Sequence, residues 1–203
     1  RSGSRLFRSA ARCWTKSSAS GASAGSGAGA SVGQSGLWLL SQLAGGDDPA
    51  YHIAFGVELS APLRLDVLER SVALVFARQH ALAATFFDHE DHVDVRPSAH
   101  LIELGRVQLE PDPARQFAVE VERPFDLTRG PLLRVALFEN ASRQVLLFVV
   151  HHIVFDEPSR DLLLEELDAA YSKLLAGQAT DSSTLAVSYA SFVEDQHEAL
   201  SQG

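Results

Sequence analysis

The sequence predicts a mixed α/β fold, with a central sheet and helices packed against it. Three observations carry that expectation. Residues 144–154 (QVLLFVVHHIV) are β-branched and apolar on both faces, as in a central strand covered from two sides. Residues 158–176 repeat Leu162, Leu163, Leu167, Ala170, Leu174 and Leu175 at helical steps, and Gly177 ends the run. From residue 52 onward, stretches of strand period alternate with stretches of helical period.

Taken in order, residues 1–30 are expected to form a flexible linker. The first 16 are Arg-rich and lack acids, which also fits an organellar transit peptide. Residues 17–36 are almost entirely Ser, Ala and Gly, a composition that buries little apolar surface per ordered residue. Structure is expected to begin within residues 31–36, followed by a short apolar helix at 36–43. Residues 52–59 alternate Ile53, Phe55, Val57 and Leu59 with smaller or polar positions, the period of a strand. Pro62 then opens a helical pattern in which Leu65, Leu68, Val72, Val75 and Phe76 recur at three- and four-residue steps. Short strands are expected at 82–87 and 92–95, with the acids between 88 and 94 in a solvated turn. A helix follows within 113–123, then a Pro/Gly-punctuated turn (PFDLTRGPL) and a strand at 132–139. The last helix is expected over 188–200.

Composition narrows the function classes. The chain has 203 residues, 46% hydrophobic and 21% charged, so it holds one real core. It contains no methionine and is therefore expected to be a segment of a longer polypeptide, unless processing removed its start. All five bases of residues 1–46 precede an acidic body, in which 12 bases face all 26 acids. No nucleic-acid partner is expected from that balance. No apolar run reaches the roughly 18 residues of a membrane span. Cys13 is alone and supports no disulfide framework. The expected location is cytoplasmic, or organellar if residues 1–16 are a transit peptide.

Two residues break the apolar strand at 144–154. His151 and His152 stand at its end, and Asp156 lies four residues beyond, at the turn into the next helix. Adjacent strand residues point to opposite faces, so one histidine is expected to face a cleft and the other the packing. A histidine so placed can serve as general base, because its reference pKa lies near neutral pH. The same residues also read as a hydrogen-bonded pair closing a strand, with Asp156 as a helix N-cap. No metal site is expected, since His80, His89, His92 and His100 follow no ligand spacing. There is no serine elbow, phosphate loop or dinucleotide fingerprint.

The segment HHIVFDE at 151–157 resembles the H-H-x-x-x-D-G signature of condensation domains from nonribosomal peptide synthetases, relatives of chloramphenicol acetyltransferase. SVGQSGLWLL at 31–40 is similar to the family's opening S-x-A-Q-x-R-L-W-x-L, and DPAYHI at 48–53 to the region after it. RPFDLTRGPLLRV at 123–135 resembles P-F-D-L-x-x-G-P-L-L-R, and YASFVEDQ at 189–196 resembles Y-x-D-F-x-x-W-Q. The resemblance is collinear over residues 31–198. It implies an α+β sandwich, a chloramphenicol acetyltransferase-like lobe with a mixed sheet. Residues 31–203 would be the N-terminal lobe, paired with a second lobe that follows, the active site lying in a tunnel between them.

The activity implied is transfer of an acyl or peptidyl thioester to an amine, or a hydroxyl. Both substrates would ride on phosphopantetheine arms of acyl or peptidyl carrier proteins, with no cofactor of the domain's own. His152 would contact the nucleophile, and His151 and Asp156 would be architectural. Three positions depart from the pattern: Glu157 replaces the signature glycine, Gly36 the arginine of the opening motif, and Ala83 the arginine that pairs with the signature aspartate. Glu157, if close, would raise the pKa of His152, and another charge carrier such as Arg160 could substitute as the partner of Asp156. The departures leave a second reading open, a non-catalytic half domain serving as a docking or structural module at a synthase junction.

Overall fold

A computed structural model describes residues 29–46, 48–61, 63–90 and 92–179, together with Val193, Gln196, Glu198 and Ala199. Residues 1–28 of the expected linker lie outside the described residues. So does most of the helix expected over 188–200, of which Val193, Gln196, Glu198 and Ala199 are helical.

A mixed four-stranded sheet forms the centre. In spatial order it runs β1 (His52–Glu58), β6 (Gln144–His151), β5 (Leu133–Glu139) and β4 (Leu104–Gln108). Neighbours pair antiparallel except β4 and β5, which are parallel and joined by the crossover helix α3 (Ala114–Glu122). β6 sits between β1 and β5, and every residue in it after Gln144 is buried. That arrangement accounts for its unbroken apolar run. A separate hairpin pairs β2 (Ala84–His89) with β3 (His92–Pro97).

Helix α1 (Val32–Leu43) begins four residues earlier than expected. Gly33, Ser35 and Gly36 weaken the helical signal, but Ser31 and Gln34 form a capping box that starts the helix ahead of them. Helix α2 (Leu65–Arg78) packs on α4 (Glu157–Leu175). Arg64 donates its backbone N–H to the Tyr171 hydroxyl (2.9 Å), and Gln79 Nε2 donates to Glu166 Oε1 (2.9 Å). The buried face of α4 runs through Leu163, Leu167, Ala170 and Tyr171. Leu162 and Leu175, which the sequence places on that stripe, are about half exposed.

Two further differences from the sequence expectation have local causes. β4 carries no apolar alternation, because it is a five-residue edge strand with no fully buried position. Its place beside β5 is set by tertiary pairing, including the Arg106–Glu139 ion pair (2.6 Å). The strand expected over 144–154 ends at His151, and His152–Val154 form a 3₁₀ turn. The opposite-face argument therefore does not govern His152, which has left the ladder.

Candidate active site

The site is assembled where β6 ends. His151 is the last strand residue, 1% exposed, and lies opposite His52 of β1 in the register. Its backbone N–H donates to Leu132 O (3.0 Å), and its Nδ1 accepts the N–H of Ile153 (3.1 Å). An Nδ1 that accepts a hydrogen bond carries no proton, so neutral His151 holds its proton on Nε2. His151 thus folds the chain out of the strand and into the 3₁₀ turn.

His152 opens that turn, half-buried. Its Nδ1 lies 2.8 Å from the carbonyl oxygen of Phe155. A carbonyl can only accept, so Nδ1 is the protonated nitrogen and Nε2 of the neutral ring carries a free lone pair. The acceptor is held in turn, because the buried Phe155 ring stacks in a row with Phe55 and Phe148. Neighbouring histidines thereby adopt opposite tautomers, each fixed by one backbone group.

Asp156 caps α4. Its Oδ1 accepts from the Ser159 backbone N–H (3.0 Å) and from the Ser159 hydroxyl. Glu157 is the first residue of that helix, where the dipole favours an acid. Its side chain is 75% exposed and faces Arg160 at 3.9 Å, which turns its charge toward water. Arg160 also pairs with Asp161 (3.1 Å). Of the other departures from the family pattern, Gly36 lies on the exposed side of α1, where a Cβ would meet nothing within 4 Å. Ala83 ends the 3₁₀ turn His80–Ala83, and its carbonyl accepts from Ser98 N–H (2.5 Å).

His52, Phe125 and Arg134 also belong to this region, and sequence reasoning gave them no site role. His52 is buried and donates Nδ1–H to Val121 O (2.5 Å). The Phe125 ring meets the His52 ring edge-on at 4.9 Å and the His151 ring at 6.1 Å. Over the Phe125 ring lies the Arg134 guanidinium, 3.7 Å from the ring centroid. Arg134 also donates to the carbonyls of Glu120, Arg123 and Pro124 (3.1, 2.5 and 3.2 Å). A histidine in an otherwise apolar strand was the visible signal for His52. Its register opposite His151 was not visible.

The P-F-D-L turn that carries Phe125 is fixed by Asp126, whose Oδ1 accepts from Thr128 N–H (2.9 Å) and Thr128 Oγ1 (2.6 Å). The Thr128 hydroxyl, with backbone N–H groups after it, holds the Asp126 carboxyl below the usual aspartate range. Gly130 closes the turn at φ +61°, where a Cβ would meet Ser98 Oγ at 3.0 Å. Among the described residues no three His, Cys, Asp or Glu side chains gather as a metal-binding group. Nor is any described helix long and apolar enough to cross a membrane.

Comparison with known proteins places this geometry. The family model for the condensation domain matches residues 29–203. A linear gramicidin synthase of Brevibacillus parabrevis is 33% identical over 172 residues, covering 80% of this chain and 3% of that protein. The solved starter condensation domain of rhizomide synthetase superposes with a TM-score of 0.74 at 25% identity, over 86% of this chain and 44% of that one. The X-domain from teicoplanin biosynthesis gives 0.77 at 27% identity, over 89% and 40%. The chain thus spans less than half of these solved relatives, with the mixed sheet and packed helices expected of the fold. On the family match and the shared fold, the chain belongs to the condensation domain family.

Proposed function

We propose that residues 31–203 supply the first lobe of a condensation-type acyltransferase within a modular peptide or polyketide synthase, with His152 as the group that meets the nucleophile. The observation that carries this reading is the 2.8 Å contact from His152 Nδ1 to Phe155 O, which puts the lone pair of the neutral ring on Nε2. An amine attacking a thioester carbonyl forms a C–N bond and breaks the C–S bond. The proton lost by the nitrogen passes to His152 Nε2 and from there to the departing sulfur. His151, by holding Ile153 N–H, and Asp156, by capping α4, fix the backbone on either side of that base. The pantetheine thioesters belong to acyl and peptidyl carrier proteins, and a second lobe completes the tunnel.

The test compares wild type with His152→Ala in the two-lobe protein, with one carrier loaded with an acyl group and the other with an aminoacyl group. General-base catalysis is worth about 10²–10⁴-fold, so the variant should lose at least 100-fold in transfer rate. Equal turnover by the two proteins sinks the role of His152.

A docking module is the second reading. It is supported by the departures at Glu157, Gly36 and Ala83, and by a relative, the teicoplanin X-domain, solved in complex with OxyB. A two-lobe wild type inert with every loaded carrier pair would favour it.

A further inference from the structure

Gln34 is 2% exposed and is the third residue of α1. Among the described residues its side chain makes two kinds of bond. Oε1 accepts the Ser31 backbone N–H (3.1 Å), completing the capping box in which Gln34 N–H donates to Ser31 Oγ (3.2 Å). Nε2 donates to Ile153 O across 119 positions of sequence (3.1 Å).

The capping box needs only the acceptor. A glutamate at that position would satisfy it and would suit the helix N-terminus better, yet the first turn of α1 holds no acid. The amide is the side chain that also brings a donor, and that donor reaches the histidine turn. A carboxylate there would face the Ile153 carbonyl with oxygen against oxygen in a buried site.

Ile153 is the middle residue of the 3₁₀ turn that His152 opens. Its N–H is held by His151 Nδ1 and its carbonyl by Gln34 Nε2. Both polar groups of the residue after His152 are thus held by side chains from different elements, β6 and α1. With the ring bonded at Nδ1 to Phe155 O, the lone pair on Nε2 points where this turn directs it.

We infer that Gln34 is a positioning residue for His152, acting through the Ile153 carbonyl. The rate test rests on the functional reading above, while the imidazole test does not. In the full two-lobe protein, Gln34→Met keeps the length and removes the donor to Ile153 O together with the Oε1 acceptor of the cap. A displacement of the base of this kind costs on the order of 10- to 100-fold, so kcat should fall by that amount with KM nearly unchanged. In ¹⁵N-histidine-labelled protein, the His152 ring resonances should shift or broaden while those of His52 stay in place. Gln34→Asn, one methylene too short for the contact, should behave alike and provides a second route if the methionine variant folds poorly. Ser31→Ala weakens the same cap but leaves Gln34 Nε2 intact. It should lower the melting temperature while retaining kcat within about threefold and leaving the His152 signals unmoved.

Wild-type kcat together with unmoved His152 signals in Gln34→Met overturns the assignment. So does an equal loss of rate in Ser31→Ala, which would trace the effect to α1 as a whole. If His152→Ala proves as active as wild type, the functional reading fails, and the imidazole spectrum alone still decides the role of Gln34.

Discussion

At the residue scale the site depends on tautomers more than on charges. One histidine accepts a backbone N–H at Nδ1 and its neighbour donates to a carbonyl from the same atom. Sequence shows two adjacent histidines and cannot show this, because the partners are backbone groups brought in by a 3₁₀ turn. Asp126 is a similar case, legible as a turn former in P-F-D-L but not as a perturbed acid. Its folded pKa is lowered, chiefly by the Thr128 hydroxyl. The stability it contributes is therefore present above the unfolded value and is lost as pH falls from about 4 through the folded value. The residue is exposed, so screening keeps the gain below about 1 kcal/mol. Asp126→Asn should cost little at pH 7 in chemical denaturation and should flatten the pH dependence of stability below about pH 4. An acid limb identical to wild type would show that Asp126 does not contribute to it.

At the element scale, strands and helices with one buried face were legible from the chain. β1, α2, β5 and most of β6 have a tertiary environment that agrees with their local pattern. β4 and the end of β6 were not legible. β4 owes its pairing to β5, and β6 ends early because the His151 side chain captures the N–H of Ile153 before the ladder can continue. Helix α4 starts where sequence placed a cap, at Asp156. Loss of an N-cap costs about 0.5–2 kcal/mol, and at this size each kcal/mol is worth about 2–4 °C. Asp156→Ala should lower the melting temperature by a few degrees. Asp156→Ser, which still accepts from Ser159 N–H, should stay near wild type. Transfer activity of the two-lobe protein should follow stability in both variants. A serine variant that is fully stable but inactive would assign the carboxylate a role beyond capping.

At the scale of the whole molecule, the sheet and the α2–α4 pair make one continuous core, and the histidine turn lies at the end of its central strand. Within the described chain, His152 has a fixed ring and a free lone pair, but proton acceptance is one part of acyl transfer. The thioester must also be aligned against the amine, and that alignment supplies a large share of the rate. In the proposed reading the substrates enter a tunnel whose other wall belongs to the second lobe. Solved relatives more than twice the length this chain covers are consistent with that division. A base on one wall, facing water, binds neither substrate in register. Residues 1–203 alone should therefore give no transfer above the uncatalysed background when incubated with loaded donor and acceptor carriers, with product followed by intact-protein mass spectrometry. The two-lobe protein under the same conditions should turn over. Robust product formation by residues 1–203 would mean that this lobe aligns both substrates by itself, and the site would then have to be sought on its own surface rather than between lobes.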